Sequence, residues 1–193
     1  LYHINVGYPV LDEGSLYLAP VKNTIWASHA DALQAQRVGY LTQPGPQENF
    51  LEQVFEHEMC ADEAGKIPVA LINTNFDGGS RHGPGLGLLV EVNQSEFPCH
   101  FQWQNYQQGL YTMGIEPCTN HVLGKPFAKE RDELIWLEHG EERSYTTRFE
   151  VLDGAQDIDA ARQRIELICR QPKIDYPFVT GEWPPIQRRS DAP

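Results

Sequence analysis

Positive charge is scarce in this 193-residue chain: 15 Lys and Arg stand against 27 Asp and Glu, a net charge of −12. A field of that sign repels phosphate backbones and anionic lipid, so nucleic acid and membrane surfaces are poor partners. A neutral small molecule is not repelled. Cysteine is also sparse. Cys60, Cys99, Cys118 and Cys169 lie at long, irregular spacings with no CxxC pair, and free thiols in a reducing cytoplasm are the simplest account. No apolar run approaches the ~18 residues of a membrane span. There is no signal-peptide pattern, no internal repeat and no linker dividing two cores, and the length suits one domain.

Several catalytic signatures are missing as well. The chain has no G-x-S-x-G and no H-x-x-x-H pair on a helix. Gly83-Pro84-Gly85-Leu86-Gly87 is glycine-rich, but it runs into a strand and lacks the helix N-terminus that cradles a phosphate. Pro117-Cys118-Thr119-Asn120-His121 touches the P-C-x-x-C half of a zinc deaminase signature, without the second cysteine or a preceding H-x-E. No metal is expected from it.

What is present is alternation. Strands are predicted at 1–8, 15–19, 50–57, 67–73, 86–93, 99–104, 110–116, 134–137 and 143–152, separated by Gly, Pro and Asp turn signals. That pattern predicts an all-β sandwich. Segment 28–37 reads as a short helix or a loop excursion. One helix is clear at 156–170, where Ile158, Ala161, Ile165 and Ile168 recur at helical spacing, Asp157 is a plausible N-cap and Pro172 stops it. Residues 172–193 read as an extended, partly disordered tail. The expected organisation is a sandwich over 1–152 with the helix and tail of 153–193 packed on it. The chain opens inside an alternating segment, Leu1 to Tyr8, as a fragment of a longer protein would.

One stretch carries chemistry. In Gly109–Gly124 the strand alternation puts Thr112, Gly114 and Glu116 on one face and Tyr111, Met113 and Ile115 on the other. Gly114 clears space beside the Glu116 carboxylate, and Pro117 is expected to end the ladder there.

The opening segment Tyr2-His3-Ile4-Asn5-Val6-Gly7-Tyr8-Pro9-Val10-Leu11-Asp12-Glu13-Gly14 and the strand Gly114-Ile115-Glu116-Pro117 together resemble the galactose mutarotase (aldose 1-epimerase) superfamily, closest to its aldose-epimerase-like bacterial branch. Phe97-Pro98 through Trp103 and Gly140-Glu141-Glu142-Arg143 support the likeness, which spans roughly residues 1–152. It implies an antiparallel β-supersandwich that cups a sugar, here with one C-terminal helix. It covers only the C-terminal part of the family's fold. It also implies a catalytic pair, His3 and Glu116, with Glu116 as base and His3 as acid in anomer interconversion and no cofactor. One departure is Tyr2, where classical members carry Asn. Sugar contacts are expected from Asn5, Trp103 and Asn120, with His57 and Asp77 at the rim; Tyr8 is a weaker stacking candidate. Arg131 suits either an anionic group on the sugar or a surface ion pair. A non-catalytic sugar-binding module of the same fold is the alternative reading, and a purely structural domain is a third.

Overall fold

The computed structural model describes residues 1–28, 39–78, 83–170 and 179–186. Nearly all of the segment read as helix or loop at 28–37, and most of the tail from 172 onward, lie outside them. In chain order the elements are β1 (Ile4–Val6), β2 (Leu16–Leu18), β3 (Val21–Ala27), β4 (Gln53–Met59), β5 (Lys66–Asn73), β6 (Leu86–Asn93), β7 (Cys99–Asn105), β8 (Thr112–Cys118), α1 (Gly124–Glu130), β9 (Thr147–Asp153) and α2 (Ala155–Ile168). They build two antiparallel sheets, one ordered β1-β8-β7-β4-β3 and the other β2-β5-β6-β9. Among the described residues no helix is long and apolar enough to cross a membrane.

Alternation explains the layers. On β5, Val69 and Leu71 face the first sheet and join Met113, Ile115, Phe55 and Val90 in the main core. Their neighbours Ala70 and Ile72 point the other way and meet Ile158, Ala161 and Ile165 of α2. A strand buried on both faces reads as a continuous apolar run, as Ile67–Ile72 does. Gly85, at φ +112°, lets α2 close on the sheet, since a Cβ there would meet Ile158 Cδ1 at 2.7 Å. The helix starts one residue before its predicted range, and its N-cap lies three residues before the expected one. Gly154 is its N-cap, and Asp157 instead reaches back from the first turn to accept the Asp153 N–H at 3.1 Å.

Three expectations are corrected. Strand β3 forms where the alternation predicts none, because its pairing with β4 shifts register between Val21 and Asn23 and again between Thr24 and Trp26; each irregularity resets the period of two. Residues 134–137 form no strand, and Trp136 and Leu137 are exposed. The ladder also does not end at Pro117: β8 continues to Cys118, and the Pro117 carbonyl accepts the Tyr2 N–H at 3.0 Å.

Candidate functional site

The first sheet turns Met113 and Ile115 into the core, so Gly114 and Glu116 of β8 face outward. Strand β8 lies between β1 and β7, with Asn5 opposite Gly114 on one side and Trp103 opposite Gly114 on the other. Residues directly opposite share a face. His3, Asn5, Trp103 and Glu116 are thereby gathered on one outer surface. His3 Nε2 comes 2.9 Å from Glu116 Oε1. The His3 Nδ1–H faces Asn5 Oδ1 at 2.8 Å, which fixes the ring and aims Nε2 at the carboxylate. Trp103 meets the His3 ring edge-on, with centroids 5.1 Å apart, and its Nε1–H donates to Glu52 Oε2 at 2.9 Å.

The Glu116 carboxyl is buried, while the His3 ring is 42% exposed. Despite that approach, Glu116 Oε1 receives no aligned hydrogen bond among the described residues. Its contact with His3 is Coulombic, and a well-placed external hydroxyl could supply the missing donor. Burial raises the Glu116 pKa, the His3 charge opposes the rise and Glu52 adds to it. A buried carboxyl with an elevated pKa beside an imidazole has the electrostatics of a general base.

Gly114 is required here by space. A Cβ at that position would stand 2.5 Å from Glu116 Oε1 and 3.2 Å from Trp103 Cβ. Gly114→Ala is therefore expected to push the carboxylate aside and to cost about 1–3 kcal/mol, the usual range for overpacking. A urea midpoint unchanged from that of the parent chain would contradict this.

A second carboxylate–imidazole pair lies in the same row. Glu56 of β4 sits opposite Phe101 of β7, which sits opposite Glu116. Glu56 Oε1 is in contact with Nδ1 of His121 from the loop after β8, and both side chains are buried. Burial pulls the His121 pKa down, but the hydrogen bond and charge of Glu56 outweigh it, and the net shift is upward. The segment 179–186 crosses this end of the sheet. Trp183 Nε1 donates to Glu56 Oε2 at 3.0 Å, and the Pro184 carbonyl accepts from His121 Nε2 at 3.0 Å. Arg131 is committed to Glu133 at 2.6 Å and to the Trp183 carbonyl at 2.9 Å, so of its two readings the structure shows the ion pair. Glu56 carried no local signal; only the pairing of β4 with β7 brings it into the row.

The remaining sequence candidates fall elsewhere. His57 is corrected: it shares the core face of β4 with Phe55, stacked against that ring at 6.1 Å, and is 1% exposed. It cannot reach the outer surface through the sheet. Asp77 is exposed in the turn after β5, in the other sheet. Asn120 is half-buried just past β8, and its Oδ1 accepts from Thr119 Oγ1 at 2.8 Å. Tyr8 is 74% exposed. A cavity of about 480 Å³ opens beside the second pair, bounded by Lys22, Glu58, Pro98, His121, Pro184 and Ile186, and not at His3 or Glu116.

Comparison with known proteins adds the following. The model of a family described as a domain of unknown function, DUF4432, matches residues 1–151. The fold resembles the crystal structure of a "putative aldose 1-epimerase" from Klebsiella pneumoniae subsp. pneumoniae, with a TM-score of 0.74 at 24% identity. That likeness covers 93% of this chain and 44% of the other, so the chain spans under half the length of that protein. No curated protein matches the chain. The likeness establishes the architecture, a β-sandwich of the aldose epimerase fold.

Proposed function

The chain belongs to the DUF4432 family, and on that footing we propose that this member binds a neutral aldose on the outer face of the first sheet and interconverts its anomers. The observation that carries the reading is the approach of His3 Nε2 to a buried Glu116 Oε1 at 2.9 Å, beside the half-exposed indole of Trp103.

Mutarotation requires two proton transfers at oxygens bonded to one carbon. Groups that converge so closely can reach both. Glu116 takes the proton from the anomeric hydroxyl as its oxygen forms a carbonyl. The bond from the anomeric carbon to the ring oxygen breaks, and that oxygen takes a proton from the His3 imidazolium. The open aldehyde turns about its bond to the next carbon. Closure on the opposite face returns each proton. Imidazole suits the acid role near neutral pH. Trp103 offers a flat apolar surface for the sugar ring, in keeping with the apolar lining and few fixed polar groups of small-molecule sites. The commitment of Arg131 to Glu133 argues for a neutral sugar over a phosphorylated one.

Binding without turnover is the second reading. Tyr2, which stands where classical members have Asn, packs on Phe97 with ring centroids 5.2 Å apart, so no amide is offered at that position. The two readings separate in one experiment. A single pure anomer is mixed with the chain and followed by optical rotation and NMR, with calorimetry on the equilibrated sugar. Accelerated equilibration is expected. Saturable binding at the uncatalysed equilibration rate would select the binding module, and neither effect with any aldose would reject both.

A further inference from the structure

Outside the His3–Glu116 site, Glu56, Cys99 and His121 form a cluster of metal-ligating donor atoms among the described residues. They come from β4, from β7 and from the loop after β8, and all three are buried. One carboxylate oxygen, the Cys99 Sγ and one His121 nitrogen lie within 4.8 Å of one another. We propose that these three residues form a binding site for a divalent transition metal, with zinc best matched by the donor set. The inference is independent of the sugar reading.

The geometry supports it first. Cys99 Sγ and His121 Nδ1 are 3.6 Å apart. Zinc holds sulfur at about 2.3 Å and imidazole nitrogen at about 2.0–2.1 Å, which in a tetrahedron sets those atoms about 3.5 Å apart. The Cys99–His121 pair is thus near its metal-bound spacing, while Glu56 Oε1 and His121 Nδ1, in direct contact, must part to admit an ion. Thiolate, imidazole and carboxylate together favour zinc or cobalt over magnesium or calcium.

The surroundings support it next. A ligating histidine usually donates its other ring N–H to a carbonyl or carboxylate. Here His121 Nε2 faces the Pro184 carbonyl at 3.0 Å and Glu133 Oε1 at 3.8 Å, which turns Nδ1 toward the cluster. Glu56 Oε2 accepts from Trp183 Nε1 at 3.0 Å and from the Val122 N–H at 3.3 Å, leaving Oε1 directed at His121 and Cys99. The cavity bounded by His121, Pro98 and Pro184 supplies a path for an ion.

Charge supports it last. One carboxylate and one thiolate beside a neutral imidazole would offset the charge of a divalent ion, so the buried site would hold no unbalanced charge. Three protein ligands leave a fourth position for water or a small ligand. The Cys118–His121 fragment gave no metal expectation in the sequence. The fold instead brings His121 against Cys99, the residue paired opposite Cys118 across β7 and β8.

The test uses the full chain stripped with a chelator and titrated with cobalt(II). One cobalt per chain is expected, with a thiolate-to-cobalt charge-transfer band and the intense visible bands of four-coordination. The band should vanish in Cys99→Ser and persist in Cys118→Ser and Cys60→Ser. Trp183→Phe, which removes the hydrogen bond to Glu56 and keeps an aromatic ring against Phe127, should weaken zinc binding about tenfold. A readout without variants is alkylation of the parent chain in urea that opens the buried cluster only transiently, mapped by mass spectrometry, in which bound zinc should protect Cys99. Absence of the thiolate band in the parent chain, survival of the band in Cys99→Ser, or equal labelling of Cys99 with and without zinc would each overturn the site.

Discussion

Glu116→Gln is expected to slow enzyme-driven anomer exchange by about 10²–10⁴-fold, the usual contribution of one positioned proton-transfer group, while sugar binding survives. The amide has nearly the volume of the carboxyl and keeps an oxygen to accept from a sugar hydroxyl. It loses the lone-pair basicity that removes the proton. The pH profile provides a second readout. Burial holds the Glu116 pKa above the ordinary carboxylate value, and only the ionised form acts as a base. Activity should therefore fall on acidification through a pH above that ordinary value, and this acid limb should be absent from whatever rate the variant retains. Magnetisation-transfer NMR on an equilibrated sugar measures the exchange directly. Equal rates in the two proteins, on every sugar that responds, would remove Glu116 from the chemistry.

The second large effect concerns acid stability. His57 and His100 are neighbours across β4 and β7 and are buried on the core side. Burial lowers the His57 pKa to about 3, with the charge of His100 as a further cause. Burial lowers that of His100 to about 4. Both values lie below the unfolded value of 6.5, so between those limits the unfolded chain binds more protons than the folded one. The stability contribution is complete above pH 6.5. It is lost progressively as pH falls from there to the folded values of about 4 and 3. At about 1.4 kcal/mol per pKa unit, each histidine accounts for roughly 3–5 kcal/mol across that window. Typical domain stabilities are about 5–15 kcal/mol, so unfolding in mild acid is expected. His100→Phe fills a similar space and removes a buried Nε2 that has no hydrogen-bond partner among the described residues. It should move the acid transition, followed by circular dichroism, to lower pH. A transition at the same pH in variant and parent would show that carboxylate protonation governs the acid limit instead.

Several features of this molecule were readable from the order of its residues. A period of two assigns faces wherever a strand is regular, and it separates Met113 and Ile115 from Gly114 and Glu116; the fold turns the first pair inward. The same rule, applied along β4, puts His57 with Phe55 and Met59 on one face, which the fold makes the core face and not the rim expected from its place near a strand end. The helical repeat of Ile158, Ala161 and Ile165 likewise marked the apolar stripe of α2 that meets the second sheet. Local rules failed where the backbone itself is irregular, as in the bulged β3, and where an apolar run such as Leu134–Leu137 joins no strand ladder among the described residues. Sheet order lay beyond any local pattern. Nothing near Glu56 announces that it shares a row with Glu116, because that depends on β7 lying between their strands. The face of each side chain is set by covalent geometry over two residues, and sequence alone determined it. Which faces meet is set by pairing between strands far apart in the chain, and only the tertiary structure decided it.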